Sequence, residues 1–354
     1  MTSNNTTQLL IGSINIAGDW FRATGCGLTL CTLDEMSGHL SAVAQFPEVE
    51  NAIWMARTPR HLLVAHERFM EDGEISVYGL EEGQPRTLAF PAQKSSGGAI
   101  CHLELSADGA TLYAVSYLAG VSVHALRADG EILPAHQVIS YRGSGPNKER
   151  QEKPHPHQAT LSPDGKQVLV CDLGSDAVWV HAIEGKRLGE ARSLSLPAGS
   201  GPRHLVFHPR LPVFYLIGEL DAMVRVYASG GKEDWQLVDS LSALPPGFAG
   251  VPGGAAIRLH PSGKSLAVSV RGSDTVAVFV IDASGSLSLH SHFSTGGKNP
   301  RDVVFSPSGR WLIALNQDSD TVISFAFDPA TGLPTGGSGA TLSLGSPVCA
   351  IFQP

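Results

Sequence analysis

Three stretches decide the fold: HQATLSPDGKQVLVCDLGSDAVWVHAI (157–183), GAAIRLHPSGKSLAVSVRGSDTVAVFVI (254–281) and PRDVVFSPSGRWLIALNQDSDTVISFAF (300–327). Each is a short apolar run, a Pro-Asp-Gly or Pro-Ser-Gly turn, a second apolar run, a polar loop and an alternating strand. Looser copies occupy 51–80, 98–126 and 202–228, and the turns recur at Pro59, Ala107, Pro163, Pro209, Pro261 and Pro307, 46 to 56 residues apart. A Gly closing such a turn takes positive φ and joins two strands in a hairpin. Runs such as VAVFVI and VISFAF are β-branched and aromatic, as strands prefer. No segment holds a 3.6-residue apolar period, so helices are expected to be nearly absent. Each unit then reads as an antiparallel meander of about four strands, and the period is that of propeller blades.

The second-strand element occurs seven times: LLIGSI, HLLVAHE, TLYAVSY, QVLVCDL, VFYLIGE, SLAVSVR and WLIALNQ. The first-strand element also occurs seven times but is displaced, ending with PVCAIF at 347–352. The N-terminal LLIGSI has no first strand before it, and PVCAIF has nothing after it. The expectation is an all-β, seven-bladed propeller of four-stranded antiparallel blades, one domain over 1–354. The C-terminal strand is expected to pair into the N-terminal blade and leave no open edge.

Composition agrees with many short strands and tight turns. The 354 residues include 39 glycines, are 42% hydrophobic and only 16% charged, against about 25% charged in an average domain. Disorder and coiled coil are excluded. A net charge of −8 without any Lys/Arg run argues against nucleic acid. No stretch approaches the ~20 apolar residues of a membrane helix, and MTSNNTTQLL lacks the features of a secretory signal. The five cysteines, Cys26, Cys31, Cys101, Cys171 and Cys349, form no Cys-x-x-Cys pair. They read as strand residues of a reduced, cytoplasmic protein, monomeric or a small homo-oligomer, with no structural metal.

A meander brings the start of its first strand and the end of its second to the same face, next to the central channel. His155 and His157, Arg203 and His204, and Arg301 and Asp302 lead into first strands. Glu67, Tyr117, Asp172, Glu219, Arg271 and Gln317 leave second strands. Ser175-Asp176, Ser273-Asp274 and Ser319-Asp320 repeat unchanged and read as turn or inter-strand hydrogen-bonding groups. Glu219, Arg271 and Gln317 instead change charge at one equivalent position, which points to an asymmetric pocket. His157, Glu219, Arg203 and Arg271 form a chemically sensible catalytic set. A carboxylate or an imidazole moves a proton, and guanidiniums hold an anionic group and a developing oxyanion. His155, His204, Tyr117, Asp172, Arg301 and Gln317 are expected to bind substrate around them. His208 and His260, beside the turn prolines, belong to the opposite face.

PHPHQATLSPDGKQVLVCDLGSD (154–176), GPRHLVFHP (201–209) with GELDAMVRVY (218–227), HPSGKSLAVSVRGSDTVAVFVID (260–282) and NPRDVVFSPSGRWLIALNQDSDTVISFAFDPATG (299–332) resemble the lactonase family of seven-bladed β-propellers. That family includes 6-phosphogluconolactonases and fungal carboxy-muconate lactonising enzymes. The resemblance covers about 95–354 well and is looser before, where ATGCGLTLCTLDEMSGHL (23–40) still resembles a first blade. It implies a metal-independent, cofactor-free enzyme acting on a small anionic lactone or carboxylate, with the family's His, Arg, Glu and Arg falling on His157, Arg203, Glu219 and Arg271. The expected activity is hydrolysis of an anionic sugar lactone, as by a 6-phosphogluconolactonase. A lactonising cycloisomerase is the alternative, and a non-catalytic binding scaffold is the reading from another class. Thr58-Pro59-Arg60-His61 in place of the Asp-Gly turn, the loop HERFMEDG (66–73) and the polar insert YRGSGPNKERQEKPHPH (141–157), a candidate lid, depart from the pattern.

Overall fold

The computed structural model describes residues 5–18, 22–67, 73–81, 83–95, 97–231 and 234–353. Residues 68–72 of the HERFMEDG loop lie outside them. Seven antiparallel sheets follow one another, and the fold is the seven-bladed propeller. Blade four shows the pattern: Pro156–Leu161, Gln167–Asp172 and Ala177–Glu184 run in order, with Arg187–Leu188 and Arg192–Ser195 outermost. In blade one the first strand is C-terminal. Pro347–Phe352 pairs with Thr6–Ser13, from Leu9 opposite Phe352 to Ser13 opposite Pro347. Among the described residues the only helix is the 3₁₀ turn Gln317–Ser319.

The residues group into two compact units. One comprises Asn51–Phe207 and Gly218–Asp221; the other comprises Met1–Glu50, His208–Ile217 and Ala222–Pro354.

In blades three to seven the second strand is buried along its whole length. All six residues of Val213–Gly218 and of Trp311–Asn316 are buried, because a blade packs against neighbours on both faces. That is why these segments read as continuous apolar runs. Between blades three and four the packing joins Tyr113, Val115 and Val123 to Ala159, Val168 and Val170. Between blades seven and one it joins Trp311, Ile313 and Leu315 to Leu9, Ile11 and Leu33. Burying each such side chain contributes about 1.5–3 kcal/mol. Outer strands such as Trp235–Ser242 are largely exposed.

The turns behave as their sequences require. Gly165, Gly263 and Gly309 have φ of 69°, 74° and 71°, and each N–H donates back to the residue opening the turn, Ser162, His260 and Ser306. His208 Nε2 lies 3.1 Å from the Gly263 carbonyl and His260 Nε2 lies 2.9 Å from that of Gly309, so these histidines tie one blade's turn to the next. The Ser-Asp repeats bridge successive blades. Asp176, Asp274 and Asp320, all in the left-handed region, accept N–H groups from Gly199 and Gly201, from Asn299, and from Ser346, respectively.

One carboxyl is placed against its own ionisation. Glu104, in the first strand of blade three, accepts the Leu161 N–H at 3.0 Å. Burial nevertheless pushes its pKa up from 4.5 to about 7. An acid whose folded pKa exceeds its unfolded one binds more protons when folded, so stability falls as pH rises between those values. Glu104→Gln keeps the acceptor and removes the charge. Its melting temperature is expected to exceed that of the wild type above pH 7, with the gain gone below about pH 4.5. An equal gain at both pH values would refute this.

Candidate active site

A single backbone hydrogen bond, repeated in every blade, builds the site. The residue just past each second strand donates its N–H to the carbonyl just before the first strand. The pairs are Ile14–Ser346, Glu67–Asn51, Tyr117–Ala99, Leu173–His155, Glu219–Gly201, Arg271–Gly253 and Gln317–Asn299, at 2.6–3.1 Å. Asn51, Ala99, Gly201, Asn299 and Ser346 turn into the strand with positive φ. Two residues further on, His157 and Arg301 sit in β-bulges of their blades. A bulge re-aims a side chain that a regular strand would point into the packed sheet.

In the unit containing Asn51–Phe207 and Gly218–Asp221, six side chains form a closed circuit of contacts. Arg203 Nε donates to Glu219 Oε2 at 3.0 Å. Arg150 Nη2 donates to Glu219 Oε1 at 2.6 Å and to the Tyr117 hydroxyl at 3.3 Å. The Tyr117 ring meets His157 edge-on, 6.1 Å between centroids, and His157 meets His204 at 5.2 Å. Arg203 Nη1 closes the circuit, 3.3 Å from both ring nitrogens of His204. His204 continues into His102 at 6.3 Å and Trp54 at 5.6 Å, and those two lie 4.4 Å apart.

The charges are buried yet matched. The side chains of Arg203 and Glu219 are 3% and 4% exposed, and that of Arg150 is 37% exposed. Removing either buried partner would strand the other's charge. Burial works against the charge on Arg150, but Glu219 and Tyr117 together raise its pKa above the ordinary arginine value. Burial raises the Tyr117 phenol while Arg150 lowers it, with a net upward shift, so Tyr117 remains a neutral hydroxyl.

The residues singled out in the sequence separate into groups. His157, Arg203, Glu219, His204 and Tyr117 come together. Arg271, Arg301 and Gln317 lie in the other unit. There the Arg271 N–H donates to Gly253 and the Gln317 N–H to Asn299. Asp172, expected to bind substrate, is corrected. The residue of blade four equivalent to Glu219 is Leu173, and Asp172 is one position earlier, the last of its strand. A one-residue step turns a side chain to the opposite side. Asp172 is therefore fully buried and accepts from His155 N, Gly174 N, Ser175 Oγ and Trp179 Nε1. His155 is likewise occupied, with Nδ1 3.1 Å from the Tyr117 carbonyl and Nε2 3.1 Å from the Glu152 carboxylate. Its ring stacks on Tyr117 at 4.3 Å. Both residues position the loop and the Tyr117 ring. Among the described residues no three His, Cys, Asp or Glu side chains are grouped as metal ligands would be.

Arg150, Trp54 and His102 were not singled out in the sequence. Trp54, His102 and His204 occupy one equivalent position in three first strands (NAIW, AICH and GPRH), so aligning the copies by their bulges would have exposed them. Arg150 stands in the insert, outside the repeat, where no spacing marks it.

Residues 8–352 match the family described as lactonase, 7-bladed beta-propeller. The chain is 28% identical over 347 residues to the 6-phosphogluconolactonase of Bacillus subtilis, covering 96% of this chain and 98% of that one. It is 28% identical over 338 residues to the protein of the same name from Yersinia pestis, covering 94% and 91%. Among solved structures, the periplasmic gluconolactonase of Pseudomonas aeruginosa superposes with a TM-score of 0.89 at 29% identity, covering 98% of this chain and 99% of that one.

Proposed function

The chain belongs to the seven-bladed β-propeller lactonase family, and from that premise we propose that it hydrolyses an anionic sugar lactone, in the manner of a 6-phosphogluconolactonase. The observation that carries the reading is the buried Arg203–Glu219 pair beside His157, capped by a second guanidinium on Arg150. Hydrolysis adds water across the ring ester. His157 accepts the proton of the attacking water as its oxygen bonds to the carbonyl carbon. It then returns that proton to the ring oxygen as the C–O bond breaks, leaving an open-chain hydroxy acid. Arg203, oriented by its Nε bond to Glu219, stabilises the negative charge on the carbonyl oxygen through its guanidinium. Glu219 holds Arg203 in place, both its oxygens being engaged by guanidiniums. Arg271, Arg301 and Gln317 are given no step, since the chemistry can be written with the residues of one unit. The five cysteines are free thiols, which fits a reduced, cytoplasmic setting.

The test is direct. Purified protein is given 6-phosphoglucono-δ-lactone, and acid release is followed above the spontaneous rate. Carboxy-muconate is supplied in parallel, with lactone formation read by absorbance. Acid release with the first and no reaction with the second is the expected result; the reverse would make the protein a cycloisomerase.

A further inference from the structure

Arg150 stands in the insert 141–157, whose backbone is pinned. Gln151 is completely buried, and its Nε2 donates to the Leu173 carbonyl at 2.9 Å and to Asp176 Oδ1 at 2.7 Å. Its Oε1 accepts the Asn147 N–H at 3.2 Å, and its own N–H returns to the Asn147 carbonyl at 2.7 Å. The neighbouring Glu152 holds His155. The insert is thus a fixed wall where Arg150 leaves it, and the part left free to move is the Arg150 side chain.

The two guanidiniums on Glu219 are unequal. Arg203 is 3% exposed and Arg150 is 37% exposed. If Arg203 left, a buried charge would be stranded. If Arg150 left, Glu219 would keep Arg203, and Arg150 would carry its charge to another oxyanion at little net cost. We propose that Arg150 is the specificity-determining residue of this site. An oxyanion group of the substrate, phosphate or carboxylate, takes Arg150 in exchange for Glu219 Oε1, and the exchange uncovers the Arg203–Glu219 pair to the lactone ring. A neutral lactone cannot make the exchange. The proposal rests on the lactonase reading for the second half of this statement and on the geometry alone for the first. A guanidinium meets phosphate or carboxylate through two parallel N–H bonds.

The experiment separates the two halves. Binding is measured by calorimetry with D-glucose 6-phosphate against D-glucose, and with tricarballylate as the carboxylate probe, for wild type, Arg150→Met and Arg150→Lys. One anionic probe is expected to bind the wild type, at least tenfold more weakly the Met variant, and at an intermediate level the Lys variant. A charge-assisted contact corresponds to about a 10- to 100-fold change. The ratio of kcat/KM for 6-phosphoglucono-δ-lactone over that for glucono-δ-lactone is expected to fall by the same factor in Arg150→Met, mainly through KM. Melting temperatures show whether each variant is folded, and the Lys variant retains the cation if the Met variant is not. Failure of the wild type to bind either anion, equal binding by the Met variant, or an unchanged ratio overturns the proposal. Arg150-dependent binding without hydrolysis of any lactone refutes the lactonase reading and leaves anion recognition by Arg150 standing.

Discussion

Glu219→Gln is expected to lower kcat/KM for the anionic lactone by about 10²- to 10³-fold, the usual loss when a donor to a developing oxyanion is displaced. The donor displaced is Arg203. Its Nε now bonds a charged oxygen at 3.0 Å in a setting where both side chains are almost inaccessible. An amide is neutral, so Arg203 would be left buried without its counterion. Breaking such a pair typically costs about 3–5 kcal/mol. The variant should therefore also melt several degrees lower. Activity and stability separate the roles: Glu219→Asp keeps the charge one methylene short and should recover stability better than rate. A Glu219→Gln enzyme with wild-type kcat/KM would show that the pair takes no part in the chemistry.

Asp176→Ala is expected to destabilise the protein by about 4 kcal/mol, although Asp176 touches nothing that reacts. Its Oδ1 accepts from Gln151 Nε2 and Gly201 N, and its Oδ2 from Gly199 N, each at 2.7 Å. Bonds to a charged acceptor contribute about 1.5–3 kcal/mol each, and alanine would leave buried donors unpaired. The consequence reaches the site by two arms. Gly201 carries the carbonyl that fixes Glu219, and Gln151 anchors the segment that carries Arg150. Activity should fall along with stability. Asp176→Asn, which tolerates the left-handed φ of 49° and retains an acceptor oxygen, should restore part of both. The equivalent Asp274 bonds Asn299 N and the exposed Lys298, so Asp274→Ala should cost only about 1 kcal/mol. Urea denaturation of both variants measures the contrast; similar losses would refute it.

Those two aspartates show where the sequence stops being informative. The Ser-Asp repeat marks the same turn in three blades, and the structure shows each Asp bridging to the next blade. The repeat does not say that one of the three also supports a buried ion pair. Asp172 shows the complementary failure. Its position in QVLVCDL aligns with the strand exits of other copies only to within one residue, and one residue decides between facing a site and facing the sheet interior. His157, Arg203 and Glu219 were legible because hairpin geometry brings strand starts and strand ends together whatever the side chains are.

What this chain determines by itself is everything carried by residues close in sequence: the turn glycines, the apolar second strands, the count of blades and the displaced strand that completes blade one. These follow from local backbone preferences and from burial on both faces of a blade, so they recur visibly. The tertiary structure alone decides that Arg150 meets Glu219, 69 residues away, and that His204 lies between His157 and Arg203. A side chain's partner across blades depends on bulges, rotamers and a non-repeating insert, none of which leaves a period in the sequence.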